Sequence, residues 1–125
     1  MSRSRSEVPT EHAEQTQFFL LASYILTADQ YSLLWATPNG GFREKRNAAS
    51  LVAEGVKKGV PDVVFAHPTE EYSGLFIEFK RRKGSKVSDE QKEMISRLRN
   101  SGYKAEICYG CDEGIATLKA YLGIK

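Results

Sequence analysis

The sequence predicts an α/β fold with a central mixed β-sheet flanked by helices. Three observations predict it. Runs of helical periodicity alternate with short β-rich runs, in the order helix, strand, helix, strand, strand, helix, strand, helix. A turn-rich link joins the two middle strands, which pairs them antiparallel. A chain of 125 residues that is 41% hydrophobic holds enough apolar material for one core.

Residues 1–9, MSRSRSEVP, are small, polar and partly basic, and are expected to form a disordered tail ahead of a single domain over 10–125. Thr10 is a plausible N-cap for a helix running to Ala28. Phe18, Phe19, Leu21, Ala22, Ile25 and Leu26 give that helix a broad apolar face. With nearby Tyr24, this is more apolar surface than one face of a small sheet covers. Glu11, Glu14, Gln15 and Phe18 share one side. Acids in a first turn ordinarily complement the helix dipole. Tyr31 to Thr37 is the first expected strand, and Pro38-Asn39-Gly40-Gly41 is a turn.

Phe42 to Lys58 is expected to be helical. Ala48, Ala49, Leu51, Val52 and Val56 form its apolar side, and Arg43, Lys45, Arg46, Lys57 and Lys58 are its basic residues. Gly55 and Gly59 flank its end. After the strand pair and a basic loop, Ser88 or Asp89 caps a helix that continues to about Asn100, with Met94, Ile95 and Leu98 in the core. Lys104 to Tyr109 alternates as a strand, with Ala105, Ile107 and Tyr109 on one side. Asp112 to Leu122 closes the chain as a helix.

The stretch from Gly59 to Lys80 carries the chemistry. Its apolar runs are Val63-Val64-Phe65 and Leu75-Phe76-Ile77. In an antiparallel hairpin, Asp62 at the mouth of the first strand lies beside Glu78 and Lys80 near the end of the second. Residues two apart on a strand share a face, so Glu78 and Lys80 point together and Phe79 points away. Two carboxylates at one point repel unless a cation sits between them. Hard oxygen ligands with open positions suit Mg²⁺ or Mn²⁺. A lysine alongside holds an attacking water or steadies charge developing on phosphorus. The set fits metal-assisted phosphodiester hydrolysis.

Net charge is only +2, so bulk charge does not announce a nucleic-acid binder. The basic residues are concentrated between positions 43 and 86, and Arg81, Arg82, Lys83 and Lys86 follow the acidic pair directly. Cys108 and Cys111 form a lone C-x-x-C with no second pair and no nearby histidine, so both are expected to be reduced structural thiols. The sequence has no signal-peptide pattern and no run of membrane-spanning length, and a cytoplasmic setting is the expectation.

Pro61-Asp62 followed by Glu78-Phe79-Lys80 resembles the PD-(D/E)xK nuclease signature. Gly55-Val56, Gly59-Val60-Pro61-Asp62, Ile77-Glu78-Phe79-Lys80, Ser88 and Gln91 narrow the resemblance to the VRR-NUC branch, as do Pro38-Asn39-Gly40-Gly41 upstream. It covers about Thr10 to Gly110 and fits the stand-alone phage and bacterial type. The resemblance implies the PD-(D/E)xK, restriction-endonuclease-like core with one extra helix after the first strand. It implies a Mg²⁺- or Mn²⁺-dependent endodeoxyribonuclease of a bacterial or phage-infected cell. Asp62, Glu78 and the Phe79 carbonyl would bind metal, Lys80 would position water, and Gln91 would help order the site. A first-helix glutamate would also help hold metal. Glu11 fits the Glu-x-x-x-Gln spacing with Gln15, and Glu14, one turn closer to the apolar body, is its rival. Asn39 would approach the scissile phosphate, and Arg43, Arg46, Lys58, Arg81, Arg82, Lys83 and Lys86 would contact DNA. Stand-alone members resemble Holliday-junction resolvases, which work as dimers. The implied substrate is therefore branched or four-way junction DNA, cut by a homodimer. The alternatives are a monomeric flap or nicking nuclease, or a binding module that does not cleave.

Overall fold

A computed structural model describes residues 8–38 and 48–125. Helix α1 spans Glu11–Ile25, and the Thr10 side chain caps it by accepting from the Ala13 amide at 3.0 Å. The helix stops three residues before the expected end because a second signal overrides it. Thr27 and Gln30 form a reciprocal capping box that starts a separate short helix, α2, over Ala28–Ser32. Tyr31 and Ser32 therefore belong to a helix, and the first strand, β1, is only Leu34–Ala36.

The expected helix over 42–58 is described only from residue 48. Helix α3 is Ala48–Ala53. The Val56 and Gly55 amides donate back to the Leu51 and Val52 carbonyls, the double closure that ends a helix at a left-handed glycine. Lys57 and Lys58 consequently sit beyond the helix, in the turn before β2. Among the described residues α3 packs against no other element, and Val52 is 70% exposed, so the apolar side expected for this helix is not part of the core.

Strands β2 (Val63–Phe65), β3 (Leu75–Lys80) and β4 (Lys104–Tyr109) complete a four-stranded sheet of order β1-β2-β3-β4. The first three are antiparallel in sequence, and β4 runs parallel to β3. The parallel step requires a crossover, supplied by helix α4 over Asp89–Asn100. Helix α5 over Cys111–Leu122 closes the fold, beginning one residue earlier than expected.

Helices α1 and α5 cover one sheet face. Phe18, Ala22, Val63, Phe65, Leu75, Ile77, Phe79, Cys108 and Leu118 are buried there. Gly114 allows this closeness, because a Cβ on it would meet the Phe79 ring at 2.6 Å. Phe79 in turn packs on Phe18 with centroids 5.1 Å apart. Truncating a ring so placed would cost about 3–5 kcal/mol. Much of the apolar surplus read on α1 is consumed here. Phe18 and Leu26 are buried, Phe19, Leu21 and Ile25 pack against the core, and Tyr24 stays outside at 80% exposure. In β4, Ala105 and Cys108 are both buried although three positions apart. Helix α4 covers one face of that strand and α5 the other, which breaks the simple alternation. Among the described residues no helix is long and apolar enough to cross a membrane.

Candidate active site

The hairpin register carries Asp62 to the second strand. Val63 pairs with Ile77, so Asp62, one position earlier, falls opposite Glu78. The Phe79 amide donates to Asp62 Oδ2 at 2.8 Å. This bond pins the carboxylate of a loop residue to the backbone of β3. Alternation then separates Phe79, which enters the core, from Glu78 and Lys80, which face α4.

Glu78 and Lys80 are both buried, at 4% and 7% exposure, and Lys80 Nζ lies 3.6 Å from Glu78 Oε2. Gln91 has two tasks. Its Oε1 accepts from the Ser88 amide to complete the cap of α4, and its Nε2 donates to Glu78 Oε2 at 2.9 Å. The cap therefore locks the amide that locks the carboxylate. Gly59 makes this proximity possible. It takes a positive φ of 85°, and a Cβ there would lie 2.5 Å from the Glu90 carbonyl oxygen. The turn before Asp62 thus lies directly against the first turn of α4.

Glu78 Oε1 is buried and accepts from no N–H donor among the described residues, and the group beside this carboxyl is the Asp62 carboxylate. An orphaned carboxylate oxygen is costly. Burial, and then the charge of Asp62, push the Glu78 carboxyl up to about 8, against the opposing pull of Lys80. Among the described residues no group of three or more histidine, cysteine, aspartate or glutamate side chains already forms a metal cluster. Two carboxylates facing each other, one with a free buried oxygen, nevertheless fit a hard divalent cation that keeps other positions for water and phosphate. Glu11 lines the same cleft, of about 390 Å³, as Asp62, Glu78, Lys80 and Gln91.

Glu14 takes a different place. It is buried on the α5 side, where its Oε2 accepts from Arg82 Nε at 2.8 Å and its Oε1 from the Cys111 amide at 2.9 Å. Burial alone would raise its carboxyl. The Arg82 hydrogen bond, the Cys111 amide and the Arg82 charge outweigh it and hold the group below its ordinary range. Of the two first-helix glutamates, Glu11 is at the cleft and Glu14 is an internal tie.

A family match decides what this constellation belongs to. The VRR-NUC domain matches residues 21–112, most of the chain. The chain belongs to the VRR-NUC domain family. A solved structure described as a VRR_NUC domain protein is 26% identical, with a TM-score of 0.82 over 95% of this chain and 93% of that one. No curated protein matches the chain. A VRR-NUC domain is a nuclease-type domain, with DNA as the implied substrate.

The basic residues expected to meet that substrate divide into three groups. Lys57 and Lys58, both named among the basic residues of the expected helix, line the cleft because the chain leaves α3 at Gly55. The Gly55 stop was the signal for that placement. Lys83 and Lys86 are exposed in the loop after β3. Arg81 and Arg82 are committed within the fold. Arg81 donates to the Val8 and Pro9 carbonyls, which ties down the last two residues of the expected tail. Arg82 donates to Glu14 and lies 3.8 Å from Asp112, while its side chain stays 47% exposed. Asn39, Arg43 and Arg46 lie outside the described residues. Cys108 and Cys111 are free thiols buried in the core and do not line the cleft. Burial pushes Cys108 up to about 11 and raises Cys111 as well.

Proposed function

We propose that this VRR-NUC domain is a metal-dependent, structure-specific DNA endonuclease. One observation carries the reading: two carboxylates of the hairpin face each other beside a buried lysine, and one carboxylate oxygen is unsatisfied. Asp62 and Glu78, with Glu11 at the cleft edge and the Phe79 carbonyl, are the groups that would hold Mg²⁺ or Mn²⁺. The cation would supply charge neutralisation and Lewis-acid polarisation of the scissile phosphate. Lys80 orients the attacking water and stabilises charge developing on the phosphate oxygens. Gln91 fixes the Glu78 carboxylate in the orientation its other oxygen needs. Lys57, Lys58, Lys83 and Lys86 contact flanking phosphates, so affinity should fall with salt.

The favoured substrate is a four-way junction cut by a homodimer, because one domain carries one site and two strands must be cut. Leu20 and Tyr24, one turn apart on the outer side of α1, and Trp35 on the edge strand are exposed apolar groups available to such a contact. A second reading is a monomeric flap or nicking enzyme. It is favoured by the burial of Phe18 and Leu26, which leaves less apolar surface on α1 for a partner. Complete acidic and basic members at the site count against a binding module that does not cleave. Incubating purified protein with labelled four-way junction, flap and linear duplex, each with Mg²⁺, Mn²⁺ or EDTA, tests the proposal. Metal-dependent cutting of the branched substrates is expected. Absence of cleavage with either metal would refute it. Light scattering together with mapping of the cut positions separates the dimer from the monomer.

A further inference from the structure

The catalytic cleft continues into a second hollow of different character. Glu11, His12, Gln15, Thr16 and Phe19 follow the helical spacing of one side of α1 and form one wall of a groove of about 610 Å³. The end of β1, with Ala36, Thr37 and Pro38, forms the other wall, and Asp62 lies at one end. Glu11 and Asp62 line both hollows, so the groove and the cleft meet at the acidic pair.

The two hollows differ in charge. Lys57, Lys58 and Lys80 line the cleft, whereas the described lining of the groove contains no lysine or arginine. Among the described lining residues, a phosphate in the groove would meet the Glu11 and Asp62 carboxylates, with the His12 imidazole but no lysine or arginine to offset them. The groove instead offers flat apolar surface from Phe19, Ala36 and Pro38, beside the hydrogen-bonding groups of Gln15, Thr16 and Thr37. Apolar and aromatic faces with a few polar groups are how proteins hold an unstacked base. The size is within the range of pockets that take small organic ligands.

We propose that this groove receives one unstacked nucleobase of the strand whose phosphate occupies the cleft. The inference rests on the endonuclease reading and sharpens it: the domain cuts next to a nucleotide that is unpaired or splayed from its helix. A branch or flap offers such a base freely. A continuous duplex must first unpair and unstack it.

Thr16→Trp tests this, because Thr16 is exposed on α1 and its indole would fill the groove without entering the core. Phe19 is unsuitable, since it packs edge-on against Phe18. Gln15→Ala is the second variant, and thermal melting checks that both fold. Two readouts are needed: single-turnover cleavage of a strand with one splayed nucleotide against the same strand fully paired, and emission of 2-aminopurine at that nucleotide on binding in EDTA. Wild type should cut the splayed strand at least about tenfold faster and brighten the probe. Thr16→Trp should bring the rate ratio close to one and abolish the brightening, and Gln15→Ala should move both the same way. If wild type cleaves but folded Thr16→Trp keeps both the ratio and the emission, the groove is not a base site and the nuclease stands. If nothing is cleaved yet the emission depends on Thr16, the base site stands and the nuclease reading fails. No cleavage and no Thr16-dependent emission would overturn both.

Discussion

Glu14 and Glu78 are buried to nearly the same degree, at 3% and 4% exposure, yet their surroundings push them in opposite directions. Both oxygens of Glu14 are bonded, to an arginine and to the amide that opens α5. Its carboxyl lies below the ordinary range. Glu78 has one oxygen held by Gln91 and Lys80 and one with no partner, faces another carboxylate, and is pushed up to about 8. Burial alone therefore does not mark a functional acid. A satisfied buried carboxylate ties elements together, and an unsatisfied one is a cost that the surrounding protein does not offset. Natural sites accept this local cost where a ligand relieves it.

The largest expected effect separates the two acids by activity. Glu78→Gln or Asp62→Asn should lower metal-dependent cleavage by about 10³-fold or more, since several kcal/mol of charge stabilisation is at stake. Circular dichroism should show the fold retained. Full activity of either variant with Mn²⁺ would remove the metal assignment and, with it, the contrast.

Next in size is the lysine beside the unsatisfied acid. Lys80→Ala should reduce the single-turnover rate by about 10²-fold, the scale of losing one transition-state donor. Binding of the branched substrate should change much less. If affinity fell and the rate did not, Lys80 would be a phosphate clamp.

Glu14→Gln should show the reverse pattern. It removes the charge from an arginine pair that is buried only on the carboxylate side, because the Arg82 side chain is 47% exposed. A measurable loss of stability in urea unfolding is expected, smaller than that of breaking a fully buried pair. Cleavage per folded molecule should stay within a few-fold. A loss comparable to that of Glu78→Gln would make Glu14 part of the site after all.

The smallest effect is on the pH dependence of metal-free protein. A carboxyl raised to about 8 binds its proton more tightly in the folded than in the unfolded chain. Stability from Glu78 is therefore full below its unfolded pKa of about 4.5 and falls as pH rises towards 8. Discounted for the solvent that still screens the site, a decline of about 1–2 kcal/mol is expected, or several degrees in Tm. Calorimetry in EDTA at pH 5 and pH 8 measures it, with Glu78→Gln as the reference that lacks the decline. A stability that rose across this interval would contradict the raised acid.

The sequence by itself determined the hairpin, the alternation that sets Glu78 and Lys80 apart from Phe79, and the helix start at Ser88 or Asp89 that puts Gln91 in a first turn. Each depends on residues within about twenty positions of one another, where spacing and turn chemistry act directly. It also carried the family, since the ordered short motifs around Asp62 and Glu78 are local. It misjudged the helix ends, because Thr27–Gln30 and Gly55 are boundary signals that a broad apolar pattern masked. The choice between Glu11 and Glu14 lay beyond it, with both in the first turn of one helix and nothing nearby to separate them. Only tertiary structure separated their places, by carrying Arg82 and the Cys111 amide across 68 and 97 positions to Glu14 and leaving Glu11 at the cleft. The physical reason is that a buried charge is settled by whichever partners the fold delivers, and those partners come from parts of the chain that local pattern does not connect.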